Sequence, residues 1–187
     1  MKAVILAGGR SSRMGQNKAM MKLGEKMLIQ YVIDAVSPVF YEVYISGNHS
    51  DYPISDGIIR DIILSKGPMG GIYSALEFFG EDIFVCSCDM PFVSSELIKN
   101  LHHRKEDGRI NIAQCGNKMY PVLGIYPFSV LNNLKNAIES GNLKMTSFLK
   151  EQNAYYIPFN DEFENQFLNI NTPENLRNAE VIMKNTL

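Results

Sequence analysis

The sequence has little of three things: cysteine, long hydrophobic runs, and an excess of charge of one sign. Its 187 residues include three cysteines, and 18 basic side chains against 20 acidic ones give a formal net charge of −2. Proteins that bind nucleic acid through its phosphates present a net basic face, so this balance argues against a nucleic-acid partner. Taking about 150 residues per domain as a guide, we predict a single domain over residues 1–187.

The same shortages bear on the compartment. The apolar run at 3–7 has five residues, whereas a membrane-spanning helix needs about 20, and a signal-peptide core is also longer. The cysteines give no disulfide framework, and the C-x-C spacing of Cys86 and Cys88 does not suit zinc. We therefore expect a cytoplasmic protein with reduced thiols and no membrane partner.

Short β-branched runs alternate with helical segments along the first half of the chain. Such runs are typical of strands buried on both faces, and four alternations predict a three-layer α/β fold with a mostly parallel sheet and right-handed crossovers. The predicted strands are 2–7, 42–45, 57–61, 82–86, 109–115, 121–126, 154–159 and 167–170. The predicted helices are 28–36, a segment ending at 79, one capped by Ser94, 129–139, 146–152 and one capped by Thr172.

The predicted strands 109–115 and 121–126 interrupt this alternation. They are separated by Gly116-Asn117, a turn signal that is typical of hairpins rather than of βαβ units. We therefore expect an antiparallel insertion in the sheet, which is also a candidate place for a substrate or a partner to bind.

A glycine-rich basic loop follows the first predicted strand. The stretch LAGGRSSRMG occupies 6–15, and residues 1–24 contain five cations and no acid. Ligands of open α/β sheets bind at the carboxyl edge of the strands, and glycine lets the backbone approach a phosphate closely. The loop matches neither the P-loop nor the G-x-G-x-x-G template, because Gln16 follows Gly15 and because Gly8 and Gly9 are adjacent. We predict a polyanion site; the alternative is a solvated surface loop.

An aspartate follows the predicted strand 82–86. Asp89 lies on the same sheet edge as the glycine loop, and its carboxylate is a suitable hard ligand for Mg²⁺ that carries nucleotide phosphates. The alternative is that Asp89 caps the next helix or forms a turn with its own backbone.

Further polar residues fall at the same edge. Asn169 and Asn171 precede a helix N-terminus, where either amide could orient a phosphate or a metal-bound water; an asparagine-rich turn is the alternative. Asp61 ends one short predicted strand, and Ser46-Gly47-Asn48 follows another. These residues could contact a base or ribose, or could be solvated turn residues.

In combination, four motifs resemble the nucleotidyltransferase family in its molybdenum cofactor guanylyltransferase branch. They are LAGGRSSRMG at 6–15 with Lys18, GPMGG at 67–71, CDMP at 88–91 and NINTPE at 169–174. The resemblance covers almost the whole chain in order. It implies a Rossmann-like domain that transfers GMP from GTP to the phosphate of molybdenum-bound molybdopterin (Mo-molybdopterin), with release of pyrophosphate.

The resemblance also implies roles for individual residues. It assigns Mg²⁺ to Asp89 and the substrate side to Asn169 and Asn171. Where its pattern has Asn directly after the second strand, this chain has Ser46, which leaves base contact to Asn48. The residues implied in nucleotide binding are Leu6, Ala7, Gly8, Gly9, Gly15, Lys18, Asp61 and Asp89, and those implied in catalysis are Lys18, Arg13 and Asp89.

The chemistry of the reaction agrees with this set of residues. A phosphate monoester with a second pKa near 6 is largely ionised at neutral pH, so its attack on an α-phosphate needs no general base. It needs positioning and charge neutralisation, which cations and a metal supply. The alternatives are a cytidylyltransferase for the same cofactor, another small nucleotidyltransferase, and a non-catalytic carrier of nucleotide or cofactor. Acceptor molybdoenzymes are expected only as transient partners.

Overall fold

The computed structural model describes residues 1–8, 18–49, 52–53 and 56–186. The predicted site residues Gly9, Arg13 and Gly15 lie outside these ranges. The strands are β1 (Lys2–Leu6), β2 (Lys22–Leu23), β3 (Lys26–Met27), β4 (Val43–Ser46), β5 (Ile58–Ile59), β6 (Ile83–Ser87), β7 (Asn111–Cys115), β8 (Lys118–Tyr126) and β9 (Tyr155–Phe159). The α-helices are α1 (Leu28–Val36), α2 (Gly67–Phe79), α3 (Ser95–His103), α4 (Leu131–Glu139), α5 (Met145–Glu151) and α6 (Pro173–Thr186).

Seven of these strands form one sheet of order β5-β4-β1-β6-β8-β7-β9. Strands β5, β4, β1 and β6 are parallel, β8 is antiparallel to both of its neighbours, and β7 is parallel to β9. The mostly parallel sheet and the antiparallel insertion are therefore confirmed. Strands β2 and β3 form a separate antiparallel pair.

Alternate residues of the central strands pack into two different cores. Ala3 and Ile5 of β1 face a core that includes residues of α1 and α3, whereas Val4 and Leu6 face a core with residues of α2, α4 and α5. Burial of a Val, Leu or Ile side chain contributes roughly 1.5–3 kcal/mol, so both faces of β1 stabilise the fold. The result is the predicted three-layer arrangement.

The register brings several strand ends to one level. Leu6 pairs with Ser46 on one side and with Ser87 on the other, and Ser46 pairs with Ile59. The segments that leave β1, β4, β5 and β6 therefore start from one edge of the sheet. The described site residues Leu6, Ala7, Gly8, Asn48, Asp61 and Asp89 lie at these strand ends or shortly after them.

Three local predictions differ from the structure. The predicted strand 167–170 is wrong: Asp161–Phe167 is a 3₁₀ helix, and the Ile170 amide donates to the Asp89 carbonyl in a loop at 2.9 Å rather than to a neighbouring strand. The predicted strand 57–61 shortens to the two residues of β5. The predicted basic loop is followed by regular structure from Lys18 on, namely a 3₁₀ turn over Lys18–Met20 and then β2.

The two predicted helix caps are confirmed. Ser94 accepts a hydrogen bond from the Leu97 amide at 3.2 Å, and Thr172 accepts one from the Asn175 amide at 3.1 Å. Each cap satisfies an N-terminal amide that has no partner inside its own helix. Within the described part of the chain, no helix has the length and apolar character needed to cross a membrane.

Candidate functional site

Lys18, Asn171 and Asp89 meet at the carboxyl edge of the sheet. The Lys18 ammonium donates to Asn171 Oδ1 at 2.5 Å and lies 3.8 Å from Asp89 Oδ2. About a fifth of the Lys18 side chain is exposed, and Asp89 is still more enclosed. A lysine held between an amide oxygen and a carboxylate is a cation with a fixed position, because both acceptors limit its rotamers.

The start of α6 fixes Asn171. Its backbone amide donates to Asn175 Oδ1 at 3.2 Å, and the neighbouring Ile170 amide donates to the Asp89 carbonyl. The C-terminal segment is thus attached to the loop that carries the aspartate. The segment 168–171 is irregular rather than a strand, and it holds the Asn171 side chain against Lys18.

Two oxygens on the segments that meet here are buried without a hydrogen-bond partner. They are Oδ1 of Asp89 and Oδ1 of Asn169. A buried polar atom left unpaired costs about 1–3 kcal/mol, so native structures rarely retain one without a functional reason. Carboxylate and amide oxygens are the ligand types that hard divalent cations prefer. The donor set therefore fits a magnesium ion, and Asp89 does not cap α3, since Ser94 does.

This candidate metal site has few protein ligands. The described residues contain no cluster of three or more His, Cys, Asp and Glu side chains suited to a metal ion. Mg²⁺ is often held by one or two carboxylates and by substrate phosphates rather than by a cage made only of protein groups. The geometry suits an ion that arrives with a nucleotide.

Asp61 occupies the neighbouring part of the same edge. Its Oδ1 is buried without a hydrogen-bond partner. Burial raises the pKa of Asp61, and the neighbouring Ser46 hydroxyl opposes that rise. Asn48, predicted to contact the base, lies exposed two residues beyond the end of β4.

The glycine loop leaves β1 directly beside Asp61. A Cβ on Gly8 would lie 3.8 Å from Oδ2 of Asp61. The Ala7 amide donates to the Ser46 carbonyl at 2.8 Å, and the Leu6 carbonyl accepts from the Cys88 amide at 3.0 Å. Hydrogen bonds to the two neighbouring strand ends thus fix the path of the backbone into the loop.

Tyr52 is a site residue that sequence reasoning missed. Its hydroxyl lies 3.3 Å from the Ala7 carbonyl, and a Cβ on Gly47 would be 2.8 Å from that hydroxyl. Tyr52 is thus packed between the ends of β1 and β4. No motif marks this residue, because its partners are distant in sequence and meet it only through the parallel pairing of the two strands.

The cysteines next to Asp89 are structural. Cys86 and Cys88 are buried free thiols, and burial together with the charge of Asp89 raises the pKa of both. A thiol whose pKa is raised stays protonated and is a poor nucleophile. The site therefore contains cations, carboxylates and amides, a set suited to binding and activating phosphates.

The family described as "MobA-like NTP transferase domain" matches residues 3–155 of this chain. The probable molybdenum cofactor guanylyltransferase of Natranaerobius thermophilus is 37% identical over 191 residues, which cover 95% of this chain and 93% of that protein. The molybdenum cofactor guanylyltransferase of Vibrio campbellii is 36% identical over 179 residues, with 92% and 91% covered.

A solved structure has the same architecture. It is the molybdopterin-guanine dinucleotide biosynthesis protein A of Archaeoglobus fulgidus, which is 30% identical to this chain. The two structures superpose with a TM-score of 0.84, and the match covers 99% of this chain and all of that one. The similarity therefore extends over the whole fold, including the C-terminal segment that carries Asn169 and Asn171.

Proposed function

Because this chain belongs to the family of MobA-like NTP transferase domains, we propose that it transfers GMP from GTP to the phosphate of molybdenum-bound molybdopterin. The product is a molybdopterin guanine dinucleotide, and pyrophosphate leaves. The names of the relatives from Natranaerobius thermophilus and Vibrio campbellii support guanylyl transfer over the other nucleotidyl transfers. The observation that carries the proposal is the contact of Lys18 with Asn171 and Asp89 beside the glycine loop.

The protein has to supply little covalent chemistry in this reaction. The attacking phosphate monoester is already ionised near neutral pH, so no side chain has to remove a proton from it. The protein must hold the acceptor phosphate and the GTP α-phosphate in line and must stabilise the charge that develops on the leaving pyrophosphate. The described site is organised for such electrostatic work.

Lys18 is the described cation best placed for this task. Its ammonium lies close to Asp89 and Asn171. We assign this ammonium to the β- and γ-phosphates of GTP. Arg13, in the part of the loop outside the described residues, is assigned to the same phosphates. A preorganised cation stabilises the departing charge without reorganisation during the reaction.

We assign a Mg²⁺ ion to Asp89, with the unpartnered oxygen of Asn169 as a second candidate ligand. When bound, such an ion polarises the α-phosphate and neutralises charge on the phosphate oxygens. Asp89 has two duties in this scheme: Oδ2 faces Lys18, and Oδ1 is left for the ion.

The glycine loop and Asp61 are assigned to the rest of the nucleotide. Leu6, Ala7 and Gly8 lead the backbone along the bound GTP, and Gly9 and Gly15 keep their predicted nucleotide-binding role. Asn48 keeps its predicted role at the edge of the nucleotide site. Mo-molybdopterin is assigned to the side of Asn169 and Asn171, and acceptor molybdoenzymes are proposed to dock transiently. We further propose that residues 1–187 act as one domain in the cytoplasm, without nucleic-acid or membrane partners.

The first test is pyrophosphate release with Mg²⁺ and Mo-molybdopterin, with GTP, CTP and ATP compared. The wild-type protein is expected to turn over GTP fastest. Asp89→Ala should abolish turnover, and Lys18→Ala should lower it on the order of 10²-fold or more, the scale of one preorganised electrostatic contact.

The matched control is Asp161→Ala, which removes an exposed carboxylate from the 3₁₀ helix Asp161–Phe167 and should leave the rate unchanged. Near wild-type GMP transfer by Asp89→Ala in the presence of Mg²⁺ would contradict the metal assignment. Tight GTP binding without pyrophosphate release would instead favour a non-catalytic carrier.

A further inference from the structure

The segment that leads into α6 is attached at two points to the loop between β6 and α3, here called the aspartate loop (88–94). The Ile170 amide donates to the Asp89 carbonyl at 2.9 Å, and the Ser94 amide donates to Gln166 Oε1 at 3.0 Å. Asp89 lies near the start of the aspartate loop, and Ser94 ends it as the N-cap of α3. The C-terminal segment therefore holds this loop near both of its ends.

The bond from Ser94 completes a helix cap. In a capping box, the N-cap side chain accepts from the amide of the third helical residue, and a Glu or Gln side chain at that third position accepts from the N-cap amide. Ser94 makes the first of these bonds, with the Leu97 amide at 3.2 Å. Leu97 is fully buried and apolar, so it has no acceptor for the second bond. Gln166, which lies 72 positions after Ser94, supplies that acceptor instead.

The aspartate loop has weak hydrogen bonds of its own. The Met90 amide lies 3.4 Å from the Ser87 carbonyl, and the Val93 amide lies 3.3 Å from the Met90 carbonyl. Both distances exceed the usual N–H···O range of about 2.7–3.2 Å. The shorter bonds join the loop to other segments, namely the two bonds to the C-terminal segment and one from the Cys88 amide to the Leu6 carbonyl at 3.0 Å. The position of the loop therefore depends on these outside contacts.

Apolar packing joins the same two segments. Phe167, next to Gln166, is buried in the cluster that also contains Met90 and Val93, and Phe92 packs against a second cluster that contains Ile170. Hydrophobic contacts are not directional, so they keep the segments together without fixing their relative orientation. The hydrogen bond from Ser94 to Gln166 supplies the directional contact.

The orientation of the aspartate loop matters because of Asp89. Its Oδ2 lies 3.8 Å from the Lys18 ammonium, and its Oδ1 is buried without a hydrogen-bond partner and is assigned to the metal ion. A carboxylate that serves two partners at once has to be held to within about 0.5 Å of its working position. A loop with weak internal bonds meets this demand only when other segments hold it.

On the basis of the proposed function, we infer that Gln166 is a positioning residue for the metal ligand Asp89. Its amide oxygen caps α3, fixes the end of the aspartate loop and thereby keeps Asp89 Oδ1 in place for the divalent cation. Gln166 acts through the loop rather than as a ligand, because its oxygen is occupied by the Ser94 amide.

The test measures the equilibrium dissociation constant of GTP with Mg²⁺ and with EDTA by calorimetry. The ratio of the two constants, called the Mg²⁺ enhancement, is expected to be about tenfold or more in the wild type, within the usual range for coupling between two ligands. Gln166→Ala should lower the Mg²⁺ enhancement about fivefold, which corresponds to the net loss of one hydrogen bond. The affinity for GTP in EDTA should stay nearly constant, because Asn171 still holds Lys18.

Three further variants control for general effects on the fold. Gln166→Glu keeps an acceptor of the kind that capping boxes use and should restore the Mg²⁺ enhancement. Gln166→Leu keeps apolar bulk without the oxygen and should behave like Gln166→Ala. Gln152→Ala removes an amide at the end of α5 whose oxygen also accepts a hydrogen bond, and it should match the wild type.

A second measurement follows the cap in the metal-free protein. Hydrogen exchange of the Ser94 amide should be slow in the wild type and in Gln166→Glu, and about fivefold or more faster in Gln166→Ala, because the amide loses its acceptor. Unchanged exchange would overturn the inference. So would faster exchange with an unchanged Mg²⁺ enhancement, an equal loss of GTP affinity with and without Mg²⁺, or a wild-type enhancement near one.

These outcomes are distinct from the outcome of the turnover assay. Mg²⁺-dependent GTP binding without pyrophosphate release would reject the proposed function and would still support the role of Gln166. Pyrophosphate release by the wild type, combined with a wild-type Mg²⁺ enhancement in Gln166→Ala, would have the opposite meaning.

Discussion

At the scale of single residues, Asn171 links the C-terminal segment to the phosphate site. Its side chain accepts from Lys18, a residue 153 positions earlier in the chain. The resemblance assigns Asn171 to the substrate side, whereas its contact in the structure is with the lysine assigned to GTP. If the amide serves GTP, its removal changes the KM for GTP. If it serves the acceptor substrate, its removal changes the KM for Mo-molybdopterin.

We expect Asn171→Ala to raise the KM for GTP about tenfold or more and to leave the KM for Mo-molybdopterin nearly constant. The reason is that a hydrogen bond to a charged group is worth about 1.5–3 kcal/mol, and its loss frees the Lys18 ammonium to move. Steady-state pyrophosphate release with each substrate varied in turn measures both constants.

The control is Asn178→Ala, which removes an exposed amide from the same helix, α6. It should behave like the wild type. A rise confined to the KM for Mo-molybdopterin in Asn171→Ala would show that the amide serves the acceptor substrate instead.

At the scale of elements, the inserted antiparallel strand β8 contains a proline, Pro121. The register between β7 and β8 shifts between Ile112 and Ala113, and Pro121 of β8 falls in this irregular stretch. A proline lacks the amide that a regular ladder requires, so a bulge is one of the few interior positions that accept it. The Pro121 carbonyl instead accepts from the buried Tyr126 hydroxyl at 2.6 Å.

Tyr126→Phe is expected to lower the free energy of unfolding at pH 7 by about 1 kcal/mol, the usual net value of one hydrogen bond. Burial raises the pKa of Tyr126 above its ordinary value, so the folded protein keeps this proton while the unfolded chain releases it above about pH 10. This contribution to stability is present below pH 10 and is lost above it, by up to about 1.4 kcal/mol per pH unit.

The difference in stability between the wild type and Tyr126→Phe should therefore narrow above pH 10. Chemical denaturation at several alkaline pH values measures it. Both proteins contain the buried thiols Cys86 and Cys88, whose effects cancel in the difference. A constant difference up to pH 11 would mean that Tyr126 ionises as readily in the folded state as in the unfolded one.

At the scale of the whole molecule, the site joins distant parts of the chain. Leu6, Ser46, Asp61 and Asp89 lie at or after the ends of separate strands, which the parallel register places at one level. Asn171 joins them through its hydrogen bond from Lys18. A ligand that bridges these residues binds only the folded chain. Its binding energy therefore adds to global stability.

We expect GTP with Mg²⁺, at 100 times its dissociation constant, to stabilise the protein by about 2.7 kcal/mol. For a chain of this length that corresponds to a rise in melting temperature of roughly 5–10 °C. Adding EDTA should remove most of the rise, and Asp89→Ala should show little of it, whereas Asp161→Ala should match the wild type. An equal rise in melting temperature with and without Mg²⁺ would mean that GTP binds without the proposed metal ion.

Much of the fold follows from local patterns in the sequence. The apolar run of β1 is short and β-branched, so burial on both faces in a parallel sheet was predictable, and the Gly116-Asn117 turn marked the antiparallel insertion. Thr172 and Pro173 marked the start of α6. The strand at 167–170 was wrongly predicted because Phe167 ends a 3₁₀ helix and the Ile170 amide donates to the Asp89 carbonyl of a loop rather than to a strand.

The sequence by itself determined the three-layer architecture, the concentration of cations near the first strand and the residue types available for phosphate chemistry. These follow from composition and from spacing over a few residues. Only the tertiary structure decided that Asn171 holds Lys18 and that oxygens of Asp61, Asp89 and Asn169 are left unpartnered. Such pairings depend on strand register and on the path of the C-terminal segment, which bring together side chains that no local pattern relates.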